Sequence, residues 1–284
     1  MMKSYTPSEL HLPVIHGLLL GSIGPRPIAF ASTVDKDGNR NLSPFSFFNV
    51  FSAKPPILIF SPARSGRTGE TKNTYDNVKE HPEVVINVVT HSMVEQMSLS
   101  SSPYPKGVDE FVKSGFTPLE SDVVKPARVK ESPIQMECKV LEVKELGENG
   151  GAGNLVICEV VRMHISEDVL DENGKVDQYK IDLVARMGGS VYCHAAGDAL
   201  FEIAKPITTI GVGVDALPNS IRNSSELTGN ELGKLASLER LPSSDEATAL
   251  MNKIGEKASV DLAKSLLAEN QVEEAMAVLL KLNE

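Results

Sequence analysis

Residues 24–50 read GPRPIAFASTVDKDGNRNLSPFSFFNV, and this stretch decides the fold class. A Pro-x-Pro entry leads into an apolar run from Ile28 to Val34. Asp37-Gly38 is a strong short-range turn signal. Beyond it, Asn41 to Asn49 interleaves small hydroxyl residues with Phe45, Phe47 and Phe48. Taken alone, the string is a strand, a turn and a Phe-rich buried strand. Its chemistry also suits a flat, partly polar ring: the aromatics supply apolar wall, and Ser hydroxyls with backbone N–H groups reach ring heteroatoms.

Outward from there the pattern stays strand-like to about residue 193. Pro56 to Ser61 and Val84 to Val89 are apolar runs of strand length. Ile134 to Val143 alternates loosely, and Asn154 to Ile165 forms a partner run across a Gly-rich loop, 147–153. Two helices are expected within this region, Thr74 to His81 before Pro82 and His91 to about Leu99. Such spacing predicts an antiparallel barrel with helical insertions, not βαβ units. From about Lys205 the character changes. Ile207 to Val214 is expected as one more strand, followed by helices. Ser243-Ser244-Asp245-Glu246 has capping-box form, and Asn270 is expected to cap a final helix. The division is therefore a barrel over 10–200 and a helical extension over 205–284.

A second string, Arg64-Ser65-Gly66-Arg67-Thr68-Gly69-Glu70-Thr71-Lys72-Asn73-Thr74, leads into the first helix. Alone it is an exposed loop with an ordinary N-cap. A helix start also presents unpaired N–H groups and partial positive charge, which accept a phosphate. Lys72 supplies the point charge, Asn73 and Thr74 neutral hydrogen bonds, and Arg67 is a lesser candidate.

On these strings the chain resembles the flavin reductase-like, FMN-binding split-barrel family, and within it the flavoredoxin-type branch. Ala185 to Cys193, ARMGGSVYC, is similar to the family's Arg-x-Gly-Gly-x-x-Tyr close of the barrel. Tyr192 there packs on a flavin or only on the barrel end. Residues 210–218 and 227–233 recur in a subset of that branch. The resemblance implies a mainly β fold, a six-stranded Greek-key split β-barrel with helical insertions and an α-helical C-terminal extension. It implies a homodimer holding FMN, and electron or hydride transfer through that FMN. The ring would be held by Ser43, Phe45, Ser46 and Phe47 with Ser32 and Thr33 nearby, and the phosphate by Lys72, Asn73 and Thr74. No acid/base residue is named, because a flavin carries its own redox chemistry. One departure touches the electron donor. Many relatives have Gly-Asp-His where this chain has Gly151-Ala152-Gly153-Asn154, and that His assists a nicotinamide donor. The donor is thus NAD(P)H or a redox protein, and a non-enzymatic FMN electron carrier serving a protein partner is the alternative reading.

Composition excludes other classes. Net charge is −10, against nucleic acid or an anionic membrane as partner. No run reaches membrane-span length, and the N-terminus lacks an apolar signal core. Cys138, Cys158 and Cys193 form no Cys-x-x-Cys, and the six His show no His-x-x-x-His, so no metal is expected and a reduced cytoplasmic setting fits. Gly211-Val212-Gly213 lacks the third Gly of a dinucleotide loop.

Overall fold

The computed structural model describes residues 1–203 and 208–282. Contacts divide the chain into two units, Met1–Phe201 and Glu202–Glu284.

The first unit opens with helix α1 (Leu12–Ser22) and strands β1 (Ala29–Val34), β2 (Arg40–Phe45), β3 (Phe48–Ala53) and β4 (Pro56–Phe60). Helix α2 (Asn73–Glu80), β5 (Glu83–Asn87), α3 (Val94–Leu99) and α4 (Glu110–Ser114) follow. Short strands β6 (Pro118–Leu119) and β7 (Arg128–Val129) precede the long pair β8 (Ile134–Glu145) and β9 (Asn154–Ile165). A final hairpin joins β10 (Leu183–Arg186) to β11 (Tyr192–Ala195).

The main sheet has seven antiparallel-paired strands in the order β2-β1-β5-β8-β9-β4-β3. Six were expected. The difference lies at Ser46-Phe47, where one predicted polar-aromatic segment bends and becomes two strands. β2 and β3 are neighbours in sequence but stand at opposite ends of the sheet order. Two residues cannot span a flat seven-stranded sheet, whose strands lie about 4.8 Å apart. The sheet must therefore curl until its ends meet. Phe45 of β2 indeed packs on Phe60 of β4, with tilted rings whose centroids are 5.5 Å apart. No ladder joins β2 to β3, so the barrel closes by packing there and is split. This is a split-barrel fold, mainly β, with helices.

β1 is buried on both faces. Ala29 and Ala31 face a barrel core with Leu58, Phe60, Val84, Ile86 and Val156. Phe30, between them, faces a second core with Met93, Met97, Phe111 and Phe116 beneath α3 and α4. Small residues on one face and Phe on the other let one strand serve two packed layers.

The second unit contains α5 (Asn219–Arg222), α6 (Gly229–Leu235), α7 (Ser244–Ile254), α8 (Val260–Ala268) and α9 (Val272–Leu282). It has its own core of Leu217, Ile221, Leu235, Leu267, Met276 and neighbours. Ser243 and Glu246 form the expected capping box at α7, and Thr228 with Glu231 forms another at α6. The strand expected at Ile207 to Val214 is not there: Ile207 lies outside the described residues, and 208–213 joins no ladder. Instead Gly211 packs so closely on the Ala236–Ser237 backbone that a Cβ would stand 2.5 Å from the Ala236 carbonyl, and the Val212 amide donates to Leu238 O at 2.8 Å. No helix among the described residues is long and apolar enough to cross a membrane.

Candidate functional site

The bend that splits the barrel also opens its main cavity, of about 480 Å³. That is within the usual span of small-molecule sites. Ser43, Pro44, Phe45, Ser46 and Phe47 form one wall. Ser61 and Ala63, just after β4, continue it, and the Ser61 amide donates to Phe47 O at 2.8 Å. Lys72 enters from the start of α2. Met97, Ser98 and Ser101 come from α3 and the turn after it, His16 and Leu20 from α1, and Arg186 with Tyr192 from the last hairpin.

Arg26 holds several of these walls together. Its guanidinium donates to Leu20 O and Met187 O, each at 2.7 Å, and to Ile23 O. It is 5% exposed. Burial, then the positive charge of Arg186, draws its pKa below the ordinary value. Two of its acceptors are carbonyls at the end of α1, where the helix dipole favours a cation. Arg186 in turn lies over the Tyr192 ring, 4.6 Å from the centroid, and bonds the Tyr192 hydroxyl and Gly189 O. It pins the aromatic wall and makes no ion pair among the described residues.

The residues expected from sequence separate into two groups. Ser43, Phe45, Ser46, Phe47 and Lys72 converge on the cavity. Ser32, Thr33, Asn73, Thr74 and Arg67 do not line it. Ser32 and Thr33 are fully buried in β1. Thr74 donates to Asn41 Oδ1 at 2.8 Å, Asn77 Nδ2 donates to Thr33 Oγ1 at 3.1 Å, and Asn41 Nδ2 donates to Glu110 at 3.0 Å. These side chains form a buried polar network that fastens α2 to β1 and β2. Its consequence is positional: the network sets where α2 begins, and Lys72 is the residue at that point. Asn73 borders a separate crevice with Asp35 and Asn77. Arg67 is exposed on the preceding loop.

Asn154 also falls elsewhere than the sequence suggested. It is fully buried, its amide donates to Ser61 Oγ at 3.0 Å, and its Nδ2 donates to Pro62 O at 2.9 Å. It braces the cavity wall from behind, so its identity bears on wall geometry and not on contact with an electron donor. His16, Arg26, Ser61, Met97, Ser98 and Ser101 escaped sequence reasoning. Arg26 stood inside the decisive string, and Ser98–Ser102 is a serine-rich run, interrupted by Leu99, whose signal was available.

The flavin reductase like domain matches residues 21–181. The chain belongs to the flavin reductase-like family. Nitrilotriacetate monooxygenase component B from Bacillus cereus is 34% identical, with a TM-score of 0.67 over 72% of this chain and 99% of its own. The 2-nitrobenzoate 2-nitroreductase of Pseudomonas fluorescens is 26% identical, with a TM-score of 0.65 over 74% and 100%. Flavoredoxin of Desulfovibrio vulgaris (Miyazaki F), 21% identical, shares the fold with a TM-score of 0.55 over 66% and 93%. Each of these structures is matched nearly end to end, while more than a quarter of this chain has no counterpart in them. A flavin-binding redox role follows from family membership.

Proposed function

We propose that the cavity binds FMN and that the protein is an FMN-dependent oxidoreductase. One observation carries this reading: Lys72, at the start of α2, opens into the same cavity as the Ser43–Phe47 wall. A flat ring needs the aromatic and hydroxyl wall, and a terminal phosphate needs a cation beside unpaired helix amides. Phe45, Phe47 and Tyr192 supply apolar surface, Ser43 and Ser46 supply hydrogen bonds, and Lys72 supplies charge. FMN bound there would exchange electrons in hydride or single-electron steps. The protein would position it and exclude water, as flavin sites do.

The assembly we propose is a homodimer. Val50 and Phe51, 62% and 63% exposed, lie on the edge strand β3, an apolar edge that a soluble monomer seldom leaves open. The compartment we propose is the cytoplasm, where the contacting thiols Cys138 and Cys158 remain free in the core. NAD(P)H or a redox protein serves as donor.

Titration of the stripped protein with FMN and riboflavin tests the cofactor. Wild type should prefer FMN, and Lys72→Ala should lose tenfold or more in FMN affinity, the equivalent of roughly 1.5–3 kcal/mol for a charged hydrogen bond. Riboflavin affinity should not move. Equal affinity of wild type for both ligands sinks the phosphate assignment. Anaerobic mixing with NADH and NADPH then separates a conventional reductase, bleached fast at sub-millimolar donor, from an electron carrier.

A further inference from the structure

Outside the cavity, three side chains from two distant segments meet on the surface. His91 follows β5, Asp182 precedes β10 and His194 lies on β11. One ligand-capable atom from each lies within 4.8 Å of the other two. His194 Nε2 is 2.6 Å from Asp182 Oδ1, and the His91 and His194 rings stack with centroids 4.2 Å apart. The backbone beneath is tied: the His91 amide donates to Asp182 O at 3.0 Å, and Thr90 bridges Leu183. The donors are thus held near one another before any ligand arrives.

We propose that His91, Asp182 and His194 bind a divalent transition-metal ion of the zinc type, with water completing the shell. Two neutral imidazoles and one carboxylate are a donor set that borderline cations favour and that Mg²⁺ and Ca²⁺ do not. Nitrogens sharing a tetrahedral zinc stand about 3.3 Å apart, given Zn–N bonds of about 2.0–2.1 Å. Closing from 4.8 Å requires only rotation of the two exposed rings. The other three-residue group among the described residues, Asp122, Glu137 and His164, lacks this freedom. Glu137 is fully buried, and its oxygens already accept the amides of Asp122, Val123 and Val124 and the His164 ring.

The site has a consequence for the cavity. His91 leads into α3, which contributes Met97 and Ser98, while Asp182 and His194 flank the hairpin that contributes Arg186 and Tyr192. A bound ion would cross-link two cavity walls.

Calorimetric titration of the full-length protein with Zn²⁺ and, separately, Mg²⁺ tests the proposal. Wild type should take one equivalent of Zn²⁺ at micromolar concentration and no Mg²⁺, and its Tm should rise with Zn²⁺ by mass action. Asp182→Asn and the His91→Gln/His194→Gln pair should each weaken Zn²⁺ binding at least tenfold, while His164→Gln leaves it intact. Circular dichroism verifies that each variant is folded. Absence of Zn²⁺ binding in wild type, unchanged binding in the double variant, or loss on His164→Gln alone overturns it. So does equal binding of Mg²⁺.

Discussion

At the scale of single residues, burial turns polar side chains into anchors. Glu83 shows this most clearly. Burial pushes its pKa upward, but Lys139, the Lys125 amide at 2.8 Å and His81 at 2.8 Å outweigh that and bring it from 4.5 down to about 2. A carboxylate depressed in the folded state stabilises the fold above its unfolded pKa, and that stability is lost as pH falls from about 4.5 through about 2. Acid unfolding of wild type should therefore steepen in that window, and Glu83→Gln should be less stable at neutral pH but flatter across the window. Superimposable acid profiles for the two proteins would refute the role. The same principle explains what sequence reasoning misplaced. Lys72-Asn73-Thr74 was legible as a helix start with phosphate chemistry. Which of its three side chains turns inward depends on Asn41 and Glu110, far away in the chain, and on the bond that Asn77 of the same helix makes to distant Thr33. Asn154 was legible as a departure from relatives, yet its partners at Ser61 and Pro62 are about ninety residues distant. Polarity marks a residue as important without marking which side of a wall it serves.

At the scale of elements, periodicity located most strands and helices, and caps located their ends less securely. Asn270 is predicted from the sequence pattern as the N-cap of α9. It sits instead with φ +59°, just past the end of α8. Its amide donates to Leu267 O at 3.2 Å, and the Gln271 amide donates to Leu266 O at 2.9 Å. This pair of bonds is a Schellman motif with Asn in the left-handed position that Gly usually holds. Asn is favoured at both N-caps and left-handed C′ positions, so an Asn in the three-residue linker between α8 and α9 is ambiguous in sequence. The placement sets a sign. Asn270→Gly should be neutral or slightly stabilising, and Asn270→Ala should cost about 1 kcal/mol through the left-handed backbone. Chemical denaturation of a third variant decides: an N-cap role would leave Asn270→Ser neutral, whereas the left-handed position penalises Ser as it does Ala. The split at Ser46-Phe47 carries the parallel lesson for strands. A Phe-rich segment hides the bend, because Ser46 stands among strand-forming Phe residues and barrel closure sets where the chain turns.

At the scale of the whole molecule, the two units carry different duties. Every residue lining the main cavity lies between His16 and Tyr192. The second unit closes its own core from Leu217 to Leu279. A cut near residue 242 would leave α5 and α6 without α8 and α9, exposing Leu235 and Ile221. A cut after Phe201 removes that core and leaves both cores of the first unit entire. The relative from Bacillus cereus, matched over 99% of its length by 72% of this chain, indicates that a barrel of this family stands without such an extension. The chain ending at Phe201 is therefore expected to fold, to bind FMN within about twofold of the full-length affinity, and to sediment as a dimer through the apolar β3 edge. Twofold is about 0.4 kcal/mol, well below the loss of a single hydrogen bond to a charged group. Fluorescence titration and sedimentation velocity at micromolar concentration read both quantities. A folded 1–201 chain that has lost FMN selectively would assign the extension to the site, and a folded monomer that still binds FMN would move the dimer contact from the barrel to the extension.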